Sequence, residues 1–213
     1  MKLVKPGYEI LTPIDGLLEL KAIERAARTC YKSESAITEE GESAKKLIGN
    51  LIRNGHEAML EHSFLSVKFT CDRGVTHELV RHRLCSFAQE STRYCNYSGE
   101  KFENSVKFVI PFFFSETQLA LWTDACARAE AAYFDLLKEG ATPQEARTVL
   151  PNSTAAEIVM SGNYREWRHI LRLRTATDAH PQMREIMCPL GAELQRRIPV
   201  IFDDCVTERR NGV

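Results

Sequence analysis

Residues 65–71 read Leu-Ser-Val-Lys-Phe-Thr-Cys, with an apolar side chain at every second position. Successive side chains of a strand point to opposite faces, so this alternation demands a sheet with one face in a core and the other polar. Helical periodicity surrounds it. Asp15 is placed to cap a helix to about Tyr31, in which Leu17, Leu20, Ile23, Ala27 and Cys30 recur three and four apart. A second helix, about Glu40 to Asn54, carries Leu47, Ile48, Leu51 and Ile52 and stops at Gly55. Val106 to Ile110 reads as another strand and Ile158 to Met160 as a third. Ser115 starts a long helix to about Lys138, closed by Gly140, and Thr142-Pro143 starts a short one ended by Pro151. Helices follow over about Tyr164 to Arg174 and Gln182 to Arg197. With no internal repeat or linker, these elements predict one α+β domain over residues 1–213, an antiparallel sheet packed with helices.

Charge narrows the function. The chain has 28 Lys and Arg against 29 Asp and Glu, a formal net charge of −1. A surface built to grip nucleic acid needs many phosphate contacts from basic residues, so nucleic acid is not the expected partner. The longest apolar run, Phe108 to Phe114, falls far short of the ~20 residues a membrane helix needs, and the first ten residues lack a signal-like apolar core. The expectation is a soluble, cytoplasmic protein with no membrane partner. Seven cysteines without a C-x-x-C pair predict reduced, mostly buried thiols rather than a disulfide framework or zinc knuckle.

Against this neutrality, RHRLCSFAQESTRY packs Arg81, His82, Arg83 and Arg93 into residues 81–94. Taken as a helix from Val75 to Leu84, with about 100° per residue, Val75, Leu79 and His82 share a face while Arg81 lies nearly opposite and Arg83 to the side. The cations cannot all lie on one solvated face, and a charge turned inward costs several kcal/mol unless an anion meets it. Pairing of Glu78 with Arg81 and His82 at the i+3 and i+4 spacings is the plain alternative. The following SFAQESTRY adds an amide, a carboxylate, hydroxyls and another arginine on poorly helical backbone, groups suited to positioning a phosphate and a heterocycle. His77 and His82 are five apart and His56 and His62 six apart, so neither pair is a zincin motif and no metal is expected. His56 also reads as a core histidine.

In GNYREWRHILRLR, residues 162–174, Trp167, Ile170 and Leu171 form an apolar stripe and Arg165, Arg168 and Arg172 the opposite face, with His169 nearby. Arg174 falls on the apolar side, where it either snorkels from the helix end or aims a permanently charged donor into a pocket. Arg147, in EARTVLPN, is a weaker candidate, because a helix C-terminus welcomes a cation anyway.

Arg81-His82-Arg83, seven residues and then Ser91 resembles the motif that marks the flavin-dependent thymidylate synthases. GHEAMLEHSF before it, ARTVLPN after the long helix and GNYREWRHILRLR near the end extend the likeness in matching order over about residues 10–200. The resemblance implies that family's fold and a homotetramer with active sites between subunits. It implies FAD as cofactor, dUMP as substrate, and 5,10-methylenetetrahydrofolate and NADPH as co-substrates in reductive methylation of dUMP to dTMP. Carried over by position, His56, Ala58, Arg81, His82, Arg83, Gln89, Asn163, Tyr164, Arg165 and His169 are the implied flavin contacts. Glu78, Leu79, Val80, Arg81, Gln89, Glu90, Ser91, Arg93, Arg147 and Arg174 are the implied nucleotide contacts. Arg174 is the implied catalytic residue, favouring the N3-ionised uracil, whereas Ser91 binds rather than attacks. Some relatives have a carboxylate at Gln89, and Ala58 can offer only backbone. Two other readings stay open: another nucleotide-binding flavoenzyme, and an Arg-rich nucleic-acid-binding module.

Overall fold

A computed structural model describes residues 1–206. In chain order its elements are β1 (Lys2–Val4), β2 (Gly7–Ile10), α1 (Gly16–Thr29), α2 (Glu42–Arg53), β3 (Phe64–Asp72), α3 (Arg73–Leu79), β4 (Ser86–Gln89), β5 (Lys107–Val109), α4 (Glu116–Lys138), α5 (Pro143–Ala146), β6 (Ala155–Asn163), α6 (Tyr164–Arg174) and α7 (Pro181–Arg197). The expected α+β class holds: four strands form an antiparallel sheet in the order β2-β3-β6-β4, and β1 pairs in parallel with β5, Lys2 opposite Lys107. The final seven residues of the expected 1–213 domain lie outside the described residues.

Local chemistry sets the element ends. Asp15 Oδ1 accepts the Leu17 and Leu18 N–H groups at the start of α1, and Ser115 with Gln118 closes a reciprocal capping box on α4. Along β3, Leu65, Val67, Phe69 and Cys71 are buried, as the alternation requires. The apolar stripe of α1 is narrower than expected, because Leu20, Ile23 and Ala27 are buried while Leu17 and Cys30 are exposed. Cysteine burial is also less than expected. All seven thiols are free, but only Cys71, Cys126 and Cys205 are buried.

The expected helix from Val75 to Leu84 is overturned. Asp72 caps α3 through the Val75 N–H, and the helix ends at Leu79; the Arg81 N–H then bonds the Glu78 carbonyl and the Cys85 N–H the His82 carbonyl, as turns. The chain enters β4 at Ser86, and sheet pairing outweighs continued helix. Strands β1, β2 and β4 lie in segments where no strand is expected from periodicity.

The chain divides into two compact units. One holds residues 1–8, 68–81 and 87–159; the other holds residues 9–67, 82–86 and 160–206. Within the first, Tyr97, Val106, Phe108, Cys126, Tyr133 and Ala146 form a buried cluster. Within the second, α6 buries Trp167, whose indole N–H donates to the Leu65 carbonyl at 3.0 Å, together with Ile170 and Leu171.

Candidate active site

The implied nucleotide residues up to Arg147 all belong to the first unit. Gln89, at the end of β4, donates to Thr76 Oγ1 at 3.1 Å. Ser91 and Arg93 occupy the turn that follows, where Ser91 Oγ accepts the Arg93 N–H at 3.3 Å. The exposed Arg93 donates through Nε to Gln144 Oε1 at 3.1 Å, and Arg147 donates to Thr92 Oγ1 at 3.2 Å. Thus α5 and the residue after it supply Gln144 and Arg147 as neighbours of the Ser91 turn. No general base meets Ser91 Oγ in these contacts, which suits binding rather than attack.

Glu90 is placed differently from its neighbours. One carboxylate oxygen accepts the Tyr97 hydroxyl at 2.8 Å and the other the Glu157 N–H at 3.3 Å, and the Glu90 N–H reaches the Glu157 carbonyl at 2.8 Å. One oxygen is therefore committed to Tyr97 and the other ties the segment to β6. Leu79 is fully buried, whereas Val80 and Arg81 are exposed and Glu78 is half-buried.

The implied flavin residues, apart from Arg81 and Gln89, lie in the second unit, and so does Arg174. Asn163 caps α6, its Oδ1 accepting the Glu166 N–H at 2.9 Å. Asn163, Arg165 and His169 line a polar cleft of about 660 Å³ together with Glu57, Glu61, Leu84, Glu166 and Arg172. Arg165 pairs with Glu61 at 2.6 Å at the half-exposed rim. His56 is exposed, which overturns the core-histidine reading; it and the exposed Ala58 flank Glu57. Tyr164 is buried with its ring on Phe202 at 5.5 Å. Arg83 is exposed while the adjacent His82 is only 5% exposed, so the cations of the Arg-His-Arg stretch do not share one face.

His82 is the joint of this group. The Arg174 Nε–H donates to His82 Nε2 at 3.0 Å, and His82 Nδ1 lies 3.6 Å from Glu166 Oε1. Burial, then the charges of Arg174 and His169, push the imidazole pKa down to about 4, so the ring is neutral near pH 7. Arg174 thus ends against a buried histidine, half-buried itself. His82, Glu166 and His169 also bring ligand atoms within 4.8 Å of one another. The guanidinium already seated on His82 opposes a second cation there.

Two features of α6 escape sequence reasoning. Arg168, assigned to the solvated face, is fully buried and bonds Glu57 Oε1 at 3.0 Å, Asp204 Oδ1 at 2.7 Å and the Ile201 carbonyl. Its partners lie 111, 36 and 33 residues away, beyond the reach of a helical wheel. Glu166 is buried as well, and at the third position after Asn163 it reads from sequence as an ordinary capping residue.

Residues 17–200 match the family model described as Thy1, thymidylate synthase complementing protein. The chain is 34% identical to a flavin-dependent thymidylate synthase of Mycolicibacterium gilvum, covering 93% of this chain and 84% of that one. It is also 34% identical to that of Corynebacterium glutamicum, covering 91% and 81%. Among solved structures it resembles the UMP/dUMP methylase PolB from Streptomyces cacaoi bound with 5-Br dUMP. There the TM-score is 0.79 and the identity 25%, over 95% of this chain and 96% of that one.

Proposed function

Because the chain belongs to the Thy1 family of flavin-dependent thymidylate synthases, we propose that it methylates dUMP reductively to dTMP. Its cofactor is FAD, 5,10-methylenetetrahydrofolate gives the carbon and NADPH the electrons, in a homotetramer with intersubunit sites. The observation that carries this reading is Arg174, a half-buried arginine held by a neutral histidine. A guanidinium stays charged at any working pH, so it stabilises negative charge gathering on a pyrimidine ring as N3 ionises and C5 becomes electron-rich. Ser91, Arg93 and Arg147 hold the phosphate, which fixes the ring relative to the one-carbon donor.

The cleft beside α6 suits FAD in size and polarity. Arg165 and Arg83 offer cations to a diphosphate, and Asn163, His169 and the backbone at Ala58 offer polar contacts. When bound, the flavin supplies hydride chemistry that side chains lack. The chain's own part is to bind, orient and hold charge.

PolB is a UMP/dUMP methylase. This supports a second reading, in which the ribonucleotide is also accepted. The purified protein is expected to be yellow and to bleach with NADPH without oxygen; mass spectrometry of products from dUMP and UMP then separates the two substrates. Arg174→Ala should abolish methylation with flavin largely retained. A colourless protein that neither takes up FAD nor oxidises NADPH with either nucleotide refutes the reading.

A further inference from the structure

We propose that Glu166 is a positioning residue for Arg174, acting through His82: the Glu166 carboxylate selects the Nδ1–H form of the imidazole, whose open Nε2 accepts and aims the guanidinium. The inference rests on the proposed role of Arg174 in nucleotide methylation.

Glu166 and Arg174 lie on the same helix but eight residues apart, about 12 Å of axial rise, so α6 alone does not bring them together. His82, from the turn after α3, reaches both. The Arg174 Nε–H must meet a lone pair, so Nε2 carries no proton and a neutral ring carries it on Nδ1. Nδ1 faces Glu166 Oε1 at 3.6 Å, longer than a well-formed hydrogen bond, a separation of the kind that tightens when a ligand closes a site.

Burial makes the arrangement selective. Glu166 is 8% exposed and His82 5%, so water screens the carboxylate and the ring only weakly. The opposite tautomer would set an Nε2–H against the Arg174 N–H and an unprotonated Nδ1 against the carboxylate, two repulsive contacts in place of two attractive ones. Among the described residues, the charged groups facing His82 are Glu166 and Arg174, with His169 the neighbouring titratable ring at 5.9 Å. With its Nε committed, the guanidinium loses rotation about its own stem, and its charge points in one direction. A buried carboxylate fixing an imidazole that in turn serves the working group follows the logic by which second partners set histidine tautomers.

The test combines ¹⁵N-histidine NMR of the intact protein with steady-state kinetics, for wild type, Glu166→Ala, Glu166→Asp and Glu166→Leu. The leucine variant keeps side-chain volume at a buried position and serves if the alanine protein does not fold. In wild type at neutral pH, His82 should show a protonated Nδ1 and an unprotonated Nε2. In Glu166→Ala or Glu166→Leu the ring should shift toward the Nε2–H form. Measured at saturating FAD, the kcat should fall about 10- to 100-fold, the cost of a misplaced charge, with nucleotide KM within about twofold. Glu166→Asp should recover part of both signals. An unchanged His82 tautomer in both the alanine and leucine variants overturns the proposal whatever their turnover, and so does a shifted tautomer with wild-type kcat. Absence of turnover in wild type on either nucleotide refutes the proposed function, while the NMR comparison still decides whether Glu166 sets His82.

Discussion

Gly162, on β6 next to the α6 cap, allows a test of the packing behind the cleft. A Cβ at this position would lie 2.7 Å from Cys85 Sγ and at ordinary contact, 3.7 and 3.8 Å, from the Trp167 ring. The shortfall against a 3.4 Å contact is about 0.7 Å. Trp167 is pinned through its N–H to the Leu65 carbonyl, so the strain falls on Cys85 and the turn bearing His82. Overpacking of this size costs about 1–3 kcal/mol, so Gly162→Ala should lower Tm by roughly 4–8 °C for a middle value of about 2 kcal/mol. Cys85→Ala should cost about 1 kcal/mol for the small void it leaves. In the double variant the new methyl enters that void, so the two changes should compensate by about 1–2 kcal/mol. The assay is thermal unfolding of all four proteins at equal flavin content, because bound ligand shifts Tm. Cys85→Ala should also keep its turnover, since burial and the Glu166 charge push this thiol up to about 12 and leave almost no thiolate. A Gly162→Ala protein as stable as wild type, or one that Cys85→Ala does not rescue, refutes the packing argument.

Other expected outcomes can be checked with the same protein. Arg168→Ala leaves Glu57 short of a buried partner and should cost about 3 kcal/mol, the low end for such a pair because Asp204 is half in water; calorimetry should show Tm lower by roughly 6–12 °C. His82 in the fold resists protonation down to about 4, so between its unfolded pKa near 6.5 and about 4 the unfolded chain binds the extra proton and stability falls as pH falls. His82→Gln should remove that part of the slope in urea titrations, and identical slopes would refute it. Burial alone would raise the Asp204 carboxyl, but hydrogen bonds and charge from Arg168 and Arg172 outweigh it and bring it down to about 2. Its contribution is therefore present above about 4 and lost as pH falls toward 2, a loss Asp204→Asn should abolish in acid unfolding. Tyr97→Phe frees one Glu90 oxygen and loosens the Ser91 turn, so nucleotide KM should rise several-fold with kcat little changed; equal KM values would remove Glu90 and Tyr97 from the positioning of that turn.

Sequence periodicity reaches as far as local interactions do. The span of α6 is legible from Tyr164 to Arg174 because Trp167, Ile170 and Leu171 keep helical spacing, and β3 is legible because its alternation is local. Strand β1 is not, since its partner is β5, a hundred residues onward, and three residues hold too little pattern to announce a parallel pairing. Likewise α3 keeps a helical pattern past Leu79, but the demand of β4 for its place in the sheet ends it there. Within the candidate site, the positive charges of Arg83, Arg165 and Arg174 are visible as an excess on a neutral chain. Glu166 and Glu57 are invisible because what matters about them is which buried cation or imidazole they face.

The contact between Arg168 and Asp204 also imposes an order on biosynthesis. A ribosome delivers Arg168 thirty-six residues before Asp204, and the backbone of α6 can close its hydrogen bonds as soon as it emerges. At that stage its guanidinium can meet Glu57, made 111 residues earlier, but the second carboxylate arrives only with Asp204. The wall carrying Glu57 and Arg172 sets only after the later segment docks. The charge network behind that wall is therefore completed after α6 has formed, not with it.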